Sequence, residues 1–220
     1  MGKKDIAVIV DERTVTYIHS LETENSPLLE EMEAYAHKEF VPIIRKEMES
    51  FLQNLIYMTK PKRILEVGTA IGYSALIMAE AMPEDCRITT IENYEKRIPI
   101  AKANFEKSEK GDRITLIYGD AMEILPGLEA GFDFIFMDAA KGQYINFLPE
   151  IDRLLSKGGV LVSDNVLQDG DLIESRYGIE KRNRTIHSRM REYLYTLKHS
   201  DQVVTSVIPL GDGVALTYKK

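Results

Sequence analysis

Apolar residues in the first 60 positions recur at helical spacing, in two groups. The first group is Leu28, Leu29, Met32, Tyr35 and Ala36. The second group is Ile43, Ile44, Met48, Phe51, Leu52, Leu55 and Ile56. This spacing places each group on one face of a helix. We place Pro42 in the first turn of the second helix and Pro61 at its end. Residues 1–60 are therefore predicted to form a helical extension.

From Lys62 onward, short apolar stretches alternate with amphipathic ones. The predicted strands are Arg63–Val67, Arg87–Glu92, Arg113–Tyr118, Phe132–Met137, Gly159–Ser163, Val203–Pro209 and Val214–Tyr218. The predicted helices are Gly72–Met82, about Tyr94–Ser108, Tyr144–Leu155 and one ending near Lys198. This alternation predicts an α/β fold with a mostly parallel, doubly wound sheet, and the final hairpin implies one antiparallel strand. We expect one domain over residues 1–220, with its core in 61–220, because no linker or repeat interrupts the pattern.

The net charge, the apolar runs and the cysteine count limit which partners and which cellular location are expected. The net charge is −7, so a generic DNA-binding role is not expected and any contact with RNA needs a local basic patch. No apolar run approaches the 18 or so residues of a membrane span. The run Ile6–Val10 is too short for a signal peptide, and the single cysteine, Cys86, cannot form an internal disulfide. A cytoplasmic protein is therefore expected.

A glycine-containing turn joins the first predicted strand to the helix that follows it. The turn runs from Glu66 to Gly72 and has Gly-x-x-x-Gly spacing, whereas dinucleotide sites have Gly-x-Gly-x-x-Gly. A carboxylate at Glu66 would repel a pyrophosphate but attract a sulfonium and an amino group. The turn therefore favours S-adenosylmethionine over NAD, with a purely structural glycine turn as the alternative.

Acidic residues also follow the next two predicted strands. Glu92 ends the second strand, where its carboxylate can accept hydrogen bonds from both ribose hydroxyls. Asp120 follows the third strand. It can accept from an adenine amino group or cap a helix, and its spacing does not separate these roles. Because open α/β sheets bind ligands at the carboxyl ends of their strands, we expect Glu66, Glu92 and Asp120 to face one ligand.

Oxygen-bearing side chains follow the fourth and fifth predicted strands. Asp138 follows the fourth, and Asp164 and Asn165 follow the fifth. These strands should be neighbours, with their ends about 5 Å apart. Oxygen ligands without His or Cys suit Mg²⁺, or Mn²⁺ as a substitute. The sequence therefore predicts a metal site made of Asp138, Asp164 and Asn165, and the alternative is a set of helix caps or loop aspartates.

Lys141 lies three residues after Asp138 and can reach the same substrate group. A divalent ion lowers the pKa of a substrate hydroxyl beside it, and Lys141 can take the proton. The resulting oxyanion attacks the sulfonium methyl group in line, a reaction helped mainly by proximity and alignment. Asp138 and Lys141 are therefore predicted to be catalytic, against the alternative that Lys141 only orients the substrate.

These motifs, in the order in which they occur along the chain, are similar to those of the cation-dependent O-methyltransferases. This family includes catechol and caffeoyl-CoA O-methyltransferases. The resemblance runs from about Val41 to the C-terminus. It rests on the stretch Glu66–Ser74, Met137-Asp138-x-x-Lys141, Asp164-Asn165 and Gly211-Asp212-Gly213. It implies a seven-stranded Rossmann-like sheet with the last strand antiparallel, and a homodimer. The cofactor pocket that it implies contains Val41, Glu66, Gly68, Tyr73, Ser74, Glu92, Asp120 and Asp138.

Two alanines separate Asp138 from Lys141, where catechol enzymes have a His-Trp pair. This stretch most resembles a bacterial subgroup that methylates 5-hydroxyuridine at the tRNA wobble position, giving 5-methoxyuridine. Residues 176–198 contain seven Lys or Arg against two Glu, which agrees with an RNA partner. We expect Arg182 and Arg184 to hold phosphates of the anticodon region. The alternative for this segment is a solvated helix face.

Three other functions compete with tRNA methylation. A methyltransferase acting on small catechols or caffeoyl-CoA-like molecules would use the same chemistry and would not need the basic segment. A non-catalytic nucleotide-binding module would have no need of Lys141. An NAD-dependent oxidoreductase is disfavoured by the spacing of the glycine turn.

Overall fold

The computed structural model describes residues 10–220. The predicted helical extension is confirmed over these residues. It consists of three helices, α1 (Glu12–His19), α2 (Pro27–Lys38) and α3 (Lys46–Thr59). Apart from Val10, the apolar run that begins at Ile6 lies outside the described residues.

The placement of Pro42 in a helix is wrong. Phe40 takes a left-handed conformation, with φ +53°, and residues 41–45 form a linker without regular secondary structure before α3 begins at Lys46. The apolar spacing continues across the break because Ile44 is buried in the same core as Met48. The periodicity of buried positions therefore concealed a break in the backbone.

Seven strands of the described chain form one sheet in the order β3-β2-β1-β4-β5-β7-β6. They are β1 (Arg63–Val67), β2 (Arg87–Glu92), β3 (Ile114–Tyr118), β4 (Phe132–Met137), β5 (Leu155–Ser163), β6 (Val203–Ile208) and β7 (Val214–Lys219). The first five strands pair in parallel. β7 is antiparallel to both β5 and β6, so the predicted sheet is confirmed.

Helices cover both faces of this sheet. They are α4 (Tyr73–Ala81), α5 (Ile98–Lys107), α6 (Ala121–Ile124), α7 (Tyr144–Leu154) and α8 (Arg184–His199). The helix predicted from about Tyr94 starts as a separate 3-10 turn, Glu95–Arg97, and Pro99 lies in the first turn of α5. Strand β5 begins four residues earlier than predicted, because Leu155 already pairs with Phe132 before a bulge.

Successive side chains along each strand point to opposite faces of the sheet, so the interior is divided into two apolar cores. Ile64 of β1 packs with residues of α2 to α5 on one face, whereas Leu65 and Val67 pack with α7 and α8 on the other. Cys86 is buried. No helix within residues 10–220 is long and apolar enough to cross a membrane. This layering brings the carboxyl ends of β1 to β5 together at one edge.

Candidate active site

The turn after β1 lies very close to the end of β4. Gly68 has φ +105°, and a Cβ atom there would lie 2.1 Å from the backbone oxygen of Asp138. Gly72 has φ +88°, and a Cβ there would lie 2.6 Å from the ring of Phe105. Both positions require glycine because L side chains rarely adopt these φ values. The turn therefore brings the predicted cofactor loop against the predicted metal-binding strand.

A first cavity of about 400 Å³ opens beside this turn. Its walls include most of the predicted cofactor residues, namely Gly68, Tyr73, Ser74, Glu92, Asp120 and Asp138. Glu92 is buried, and its carboxylate accepts hydrogen bonds from the backbone nitrogens of Ala70 (2.6 Å) and Tyr94 (2.8 Å). One oxygen of Asp120 caps α6 by accepting from Met122 N at 2.8 Å. Of the two roles that its spacing left open, the structure shows the helix cap, and Asp120 also lines the cavity in which an adenine contact is predicted.

Glu66 does not line this cavity, which corrects its predicted role. Its side chain is fully buried beneath the turn, where it accepts hydrogen bonds from Ser74 Oγ (2.5 Å) and from Thr90 Oγ1. Burial is the largest cause that raises the pKa of Glu66 to about 7. Glu66 is the penultimate residue of β1, and its side chain projects from the face of the sheet and not from the strand end. Glu66 therefore holds the hydroxyl of Ser74, which lines the cavity, and has no exposed surface of its own there.

The N-terminal extension closes one side of the first cavity. Tyr73 lines the cavity, but its hydroxyl donates to Glu49 of α3 at 2.7 Å. Asn25 also donates to the Glu49 carboxylate, at 2.7 Å. Val41 packs against the core and is not in the cavity wall, whereas the next three residues, 42–44, are. The prediction that Val41 lines the cofactor pocket is therefore corrected: the linker residues in the cavity wall are the three that follow it.

A second cavity of about 790 Å³ adjoins the first. The stretch from Asp138 to Lys141 and linker residues 42–44 contribute to both. The second cavity also contains Asp164, Asn165 and apolar side chains of Met48, Ile186 and Leu210. The shared stretch therefore forms a wall between two spaces, with the predicted metal ligands and base exposed to the second one.

The predicted metal ligands lie at adjacent strand ends. Asp138 follows β4 and Asp164 follows β5, and Asp164 N donates to the backbone oxygen of Met137 at 2.9 Å. The hydroxyl of Tyr144 ties both ends together, lying 3.0 Å from Met137 O and 3.1 Å from Asp164 O. Burial, followed by the nearby charge of Asp138, raises the pKa of Asp164 to about 7. Two carboxylates in this position fit a cation, which would offset their repulsion.

Asn165 and Lys141 complete this cluster. Asn165 takes a left-handed conformation, with φ +57°, and its backbone nitrogen donates to Asp164 Oδ1 at 2.7 Å. Lys141 Nζ lies 3.0 Å from Asp138 Oδ1. No group of three or more His, Cys, Asp or Glu side chains suitable for a metal occurs within the described part of the chain. A metal here therefore needs the amide oxygen of Asn165 and water as well as the two carboxylates.

The basic segment meets the second cavity through residues other than those predicted. Arg182 is 81% exposed and pairs with Glu180 at 2.6 Å, and the guanidinium of Arg184 lies 6.0 Å from the ring centre of Tyr177. Neither arginine is among the residues that line the cavities. Arg189 of α8 lines the second cavity, and it donates to the backbone oxygen of Gly142 at 3.1 Å.

Sequence reasoning also missed Gln168. This residue lines the second cavity and takes a left-handed conformation, with φ +51°. Its side-chain nitrogen is buried and finds no hydrogen-bond partner among the side chains that the structure describes. An isolated glutamine in a loop has no spacing signal, so only the three-dimensional arrangement shows that Gln168 belongs to the cavity wall.

Comparison with known proteins decides the family. A model of the O-methyltransferase family matches residues 19–220. The chain belongs to this family. It is 30% identical to caffeoyl-CoA O-methyltransferase 1 of Eucalyptus globulus over 216 residues, covering 91% of this chain and 86% of the relative. It is 38% identical to catechol O-methyltransferase of Niastella koreensis over 128 residues, covering 56% and 58%.

Solved structures of other methyltransferases share the fold of this O-methyltransferase. SAH-bound Podospora anserina methyltransferase has a TM-score of 0.84 and 28% identity, covering 94% of each chain. An O-methyltransferase from Bacillus cereus in complex with SAH has a TM-score of 0.83 and 25% identity, covering 94% of this chain and 97% of that one. Both hold S-adenosylhomocysteine (SAH), which agrees with the predicted S-adenosylmethionine dependence. The enzyme class and the caffeoyl-CoA and catechol type are confirmed.

Proposed function

We propose that this O-methyltransferase binds S-adenosylmethionine in the first cavity and transfers its methyl group to a hydroxyl in the second. The wall Asp138–Lys141 carries this assignment, because it lines both cavities. Glu92 and Asp120 lie at the strand ends where ribose and adenine would be held. The two substrates would then meet across a short stretch of chain, which supplies the alignment that an in-line displacement needs.

Mg²⁺, or Mn²⁺ in its place, would be held by Asp138, Asp164 and Asn165. The observation that supports this is the convergence of two carboxylates at adjacent strand ends, where burial and the charge of Asp138 raise the pKa of Asp164. When bound, the cation supplies positive charge that favours the ionised form of a neighbouring hydroxyl. Lys141, whose Nζ lies 3.0 Å from Asp138 Oδ1, would remove the hydroxyl proton.

The substrate that we propose is an aromatic ring with two adjacent oxygens, as in a catechol. The second cavity combines apolar walls, from Met48, Ile186 and Leu210, with the acidic cluster at one end. Such a cavity would hold a ring between its apolar walls while two oxygens point towards the cation site. The similarity to caffeoyl-CoA and catechol O-methyltransferases supports the same class of substrate.

Methyl transfer with and without chelator tests the metal. Purified protein is mixed with S-adenosylmethionine and either catechol or caffeoyl-CoA, and the methylated product is measured by mass spectrometry. EDTA should abolish turnover and added Mg²⁺ should restore it, while SAH binding measured by calorimetry persists in EDTA. Full turnover in excess EDTA would contradict the proposed metal.

The second candidate substrate is tRNA carrying 5-hydroxyuridine, whose 5-hydroxyl and 4-carbonyl are also adjacent oxygens. The observation that favours it is the position of the basic segment, since Asn183 and Arg189 line the second cavity. Replacing Arg182 and Arg184 with Ala should weaken methylation of such tRNA and spare small catechols, because removed phosphate contacts affect only the nucleic acid.

The matched control replaces two exposed lysines elsewhere, Lys102 and Lys157. Both double variants lose two positive charges, so a general charge effect would weaken tRNA methylation equally in the two. Loss confined to the variant of Arg182 and Arg184 supports the tRNA substrate. Unchanged tRNA methylation in that variant would refute the predicted phosphate contacts.

A further inference from the structure

The turn between β6 and β7 is attached directly to the loop that carries Asn165. Val166 N donates to Gly213 O at 2.9 Å, and Leu167 N donates to Asp212 O at 2.8 Å. Gly213 has φ +87°, and a Cβ atom there would lie 2.3 Å from Leu167 Cγ. The two segments therefore approach so closely that the turn has little freedom to move away from the metal-site loop.

The side chain of Asp212 occupies the junction between this turn, Asn165 and the linker before α3. One carboxylate oxygen pairs with Arg45, at the end of that linker. The other oxygen accepts a hydrogen bond from Asn165 Nδ2 at 3.4 Å. Asp212 is only 17% exposed, so its hydrogen bonds compete with little water.

The chemistry of these groups decides which way the Asn165 amide faces. A carboxylate only accepts hydrogen bonds, so the amide must present its NH₂ group to Asp212. Its oxygen then stays available on the other side, where hard cations require oxygen and not nitrogen. A flipped amide would place NH₂ hydrogens towards the cation and its oxygen against the Asp212 carboxylate.

We propose that Asp212 is a positioning residue, which holds the Asn165 amide with its oxygen towards the cation, while Arg45 holds Asp212 in place. The inference rests on the metal site proposed above. The contacts from Arg45 to Asp212 and from Asp212 to Asn165 would also connect the linker, which lines both cavities, to the metal site. Groups that orient metal ligands in this way typically change metal affinity by 10-fold to 100-fold when removed.

Calorimetric titration of Mn²⁺ into SAH-saturated protein tests this role without measuring turnover. We expect Asp212→Ala to weaken Mn²⁺ binding by about 10-fold. In protein that already carries Asn165→Ala, the same change should add less than about 2-fold, because two residues that act through one interaction are not additive. Asp152→Ala is the matched control, since Asp152 is ion-paired with Lys219 away from both cavities, and it should leave Mn²⁺ affinity unchanged.

The possible failures are distinguishable. Wild-type protein that binds no Mn²⁺ would refute the proposed metal and this inference with it. Wild-type binding that Asp212→Ala leaves unchanged would overturn only the positioning role. A full 10-fold loss in the Asn165→Ala background would also overturn it, because Asp212 would then act independently of Asn165. If Asp212→Ala does not fold, as judged by SAH binding, Arg45→Ala must weaken Mn²⁺ binding, and an unchanged affinity refutes the proposal.

Discussion

The hydroxyl of Tyr144 offers a direct test of how the two metal-bearing strand ends are held together. Tyr144 is fully buried at the start of α7, and its hydroxyl lies within hydrogen-bonding distance of Met137 O and Asp164 O. Replacing it with Phe removes this shared donor with minimal change in packing. Met137 O keeps the backbone bond from Asp164 N, so Asp164 O is the acceptor that loses most.

The expected loss of stability follows from the one hydrogen bond that Asp164 O loses. Leaving one buried carbonyl without its donor costs about 1–3 kcal/mol. For a chain of this size each kcal/mol lowers Tm by roughly 2–4 °C, so a central loss of about 2 kcal/mol predicts a Tm lower by about 4–8 °C. Because Asp164 is then held less firmly beside Asp138, we also expect Mn²⁺ affinity to fall by about 10-fold.

Tyr193→Phe is the matched control. Tyr193 is equally buried, its ring packs edge-on against Tyr144 at 5.5 Å, and its hydroxyl bonds to Ser163 at 2.6 Å. Its hydroxyl joins α8 to β5 and does not join β4 to β5, so Tyr193→Phe should lower Tm and leave Mn²⁺ affinity unchanged. Thermal unfolding and calorimetry measure the two quantities. Equal losses of Mn²⁺ affinity in both variants, or none in Tyr144→Phe, would refute the reasoning.

Three further outcomes are expected. Lys141→Met should lower turnover by about 100-fold or more while SAH binding persists, because it removes the proposed base; near-normal turnover would disprove that role. Gly68→Ala should lower Tm and abolish SAH binding, because its Cβ would lie 2.1 Å from Asp138 O, whereas Gly127→Ala, with nothing within 4 Å of the added Cβ, should do neither. Burial raises the pKa of Glu66 from 4.5 to about 7, so the native state binds this proton more tightly and the free energy of unfolding should fall as pH rises from about 4.5 to about 7. Glu66→Gln should reduce that fall in urea denaturation, and an identical pH profile would contradict the assignment.

Strand positions and the mostly parallel character of the sheet could be predicted from the sequence because buried parallel strands have a distinct apolar pattern. The ranges of β1, β2 and β4 match their predictions. The start of β5 could not be predicted, since Gly158 and Gly159 suggest a turn, although the chain continues as a strand through them. Periodicity also failed at Pro42, because it records which positions are buried and not whether the backbone between them is helical.

In the candidate site, the sequence predicted which residues lie at the strand ends but not where each side chain points. Asp138, Asp164 and Lys141 were predictable because the ends of neighbouring strands must meet. Glu66 was misassigned because a sequence does not show whether a carboxylate near a strand end faces a cavity or the layer beneath it. Arg189 and Gln168 come from the chain after β5, where polar residues follow no period, so their place in the cavity wall depends on tertiary packing alone.

The contribution of one stretch of chain to the second cavity alone has a consequence for how acceptor preference can diverge in this fold. The first cavity is built mainly from the ends of β1 to β3, whereas Gln168, Asp171, Asn183, Ile186 and Arg189 of the second belong to one continuous stretch of chain. Exchanging residues 168–189 between homologues would therefore replace much of one cavity wall in a single graft. Recombination at two points could change what is methylated while the methyl source stays the same.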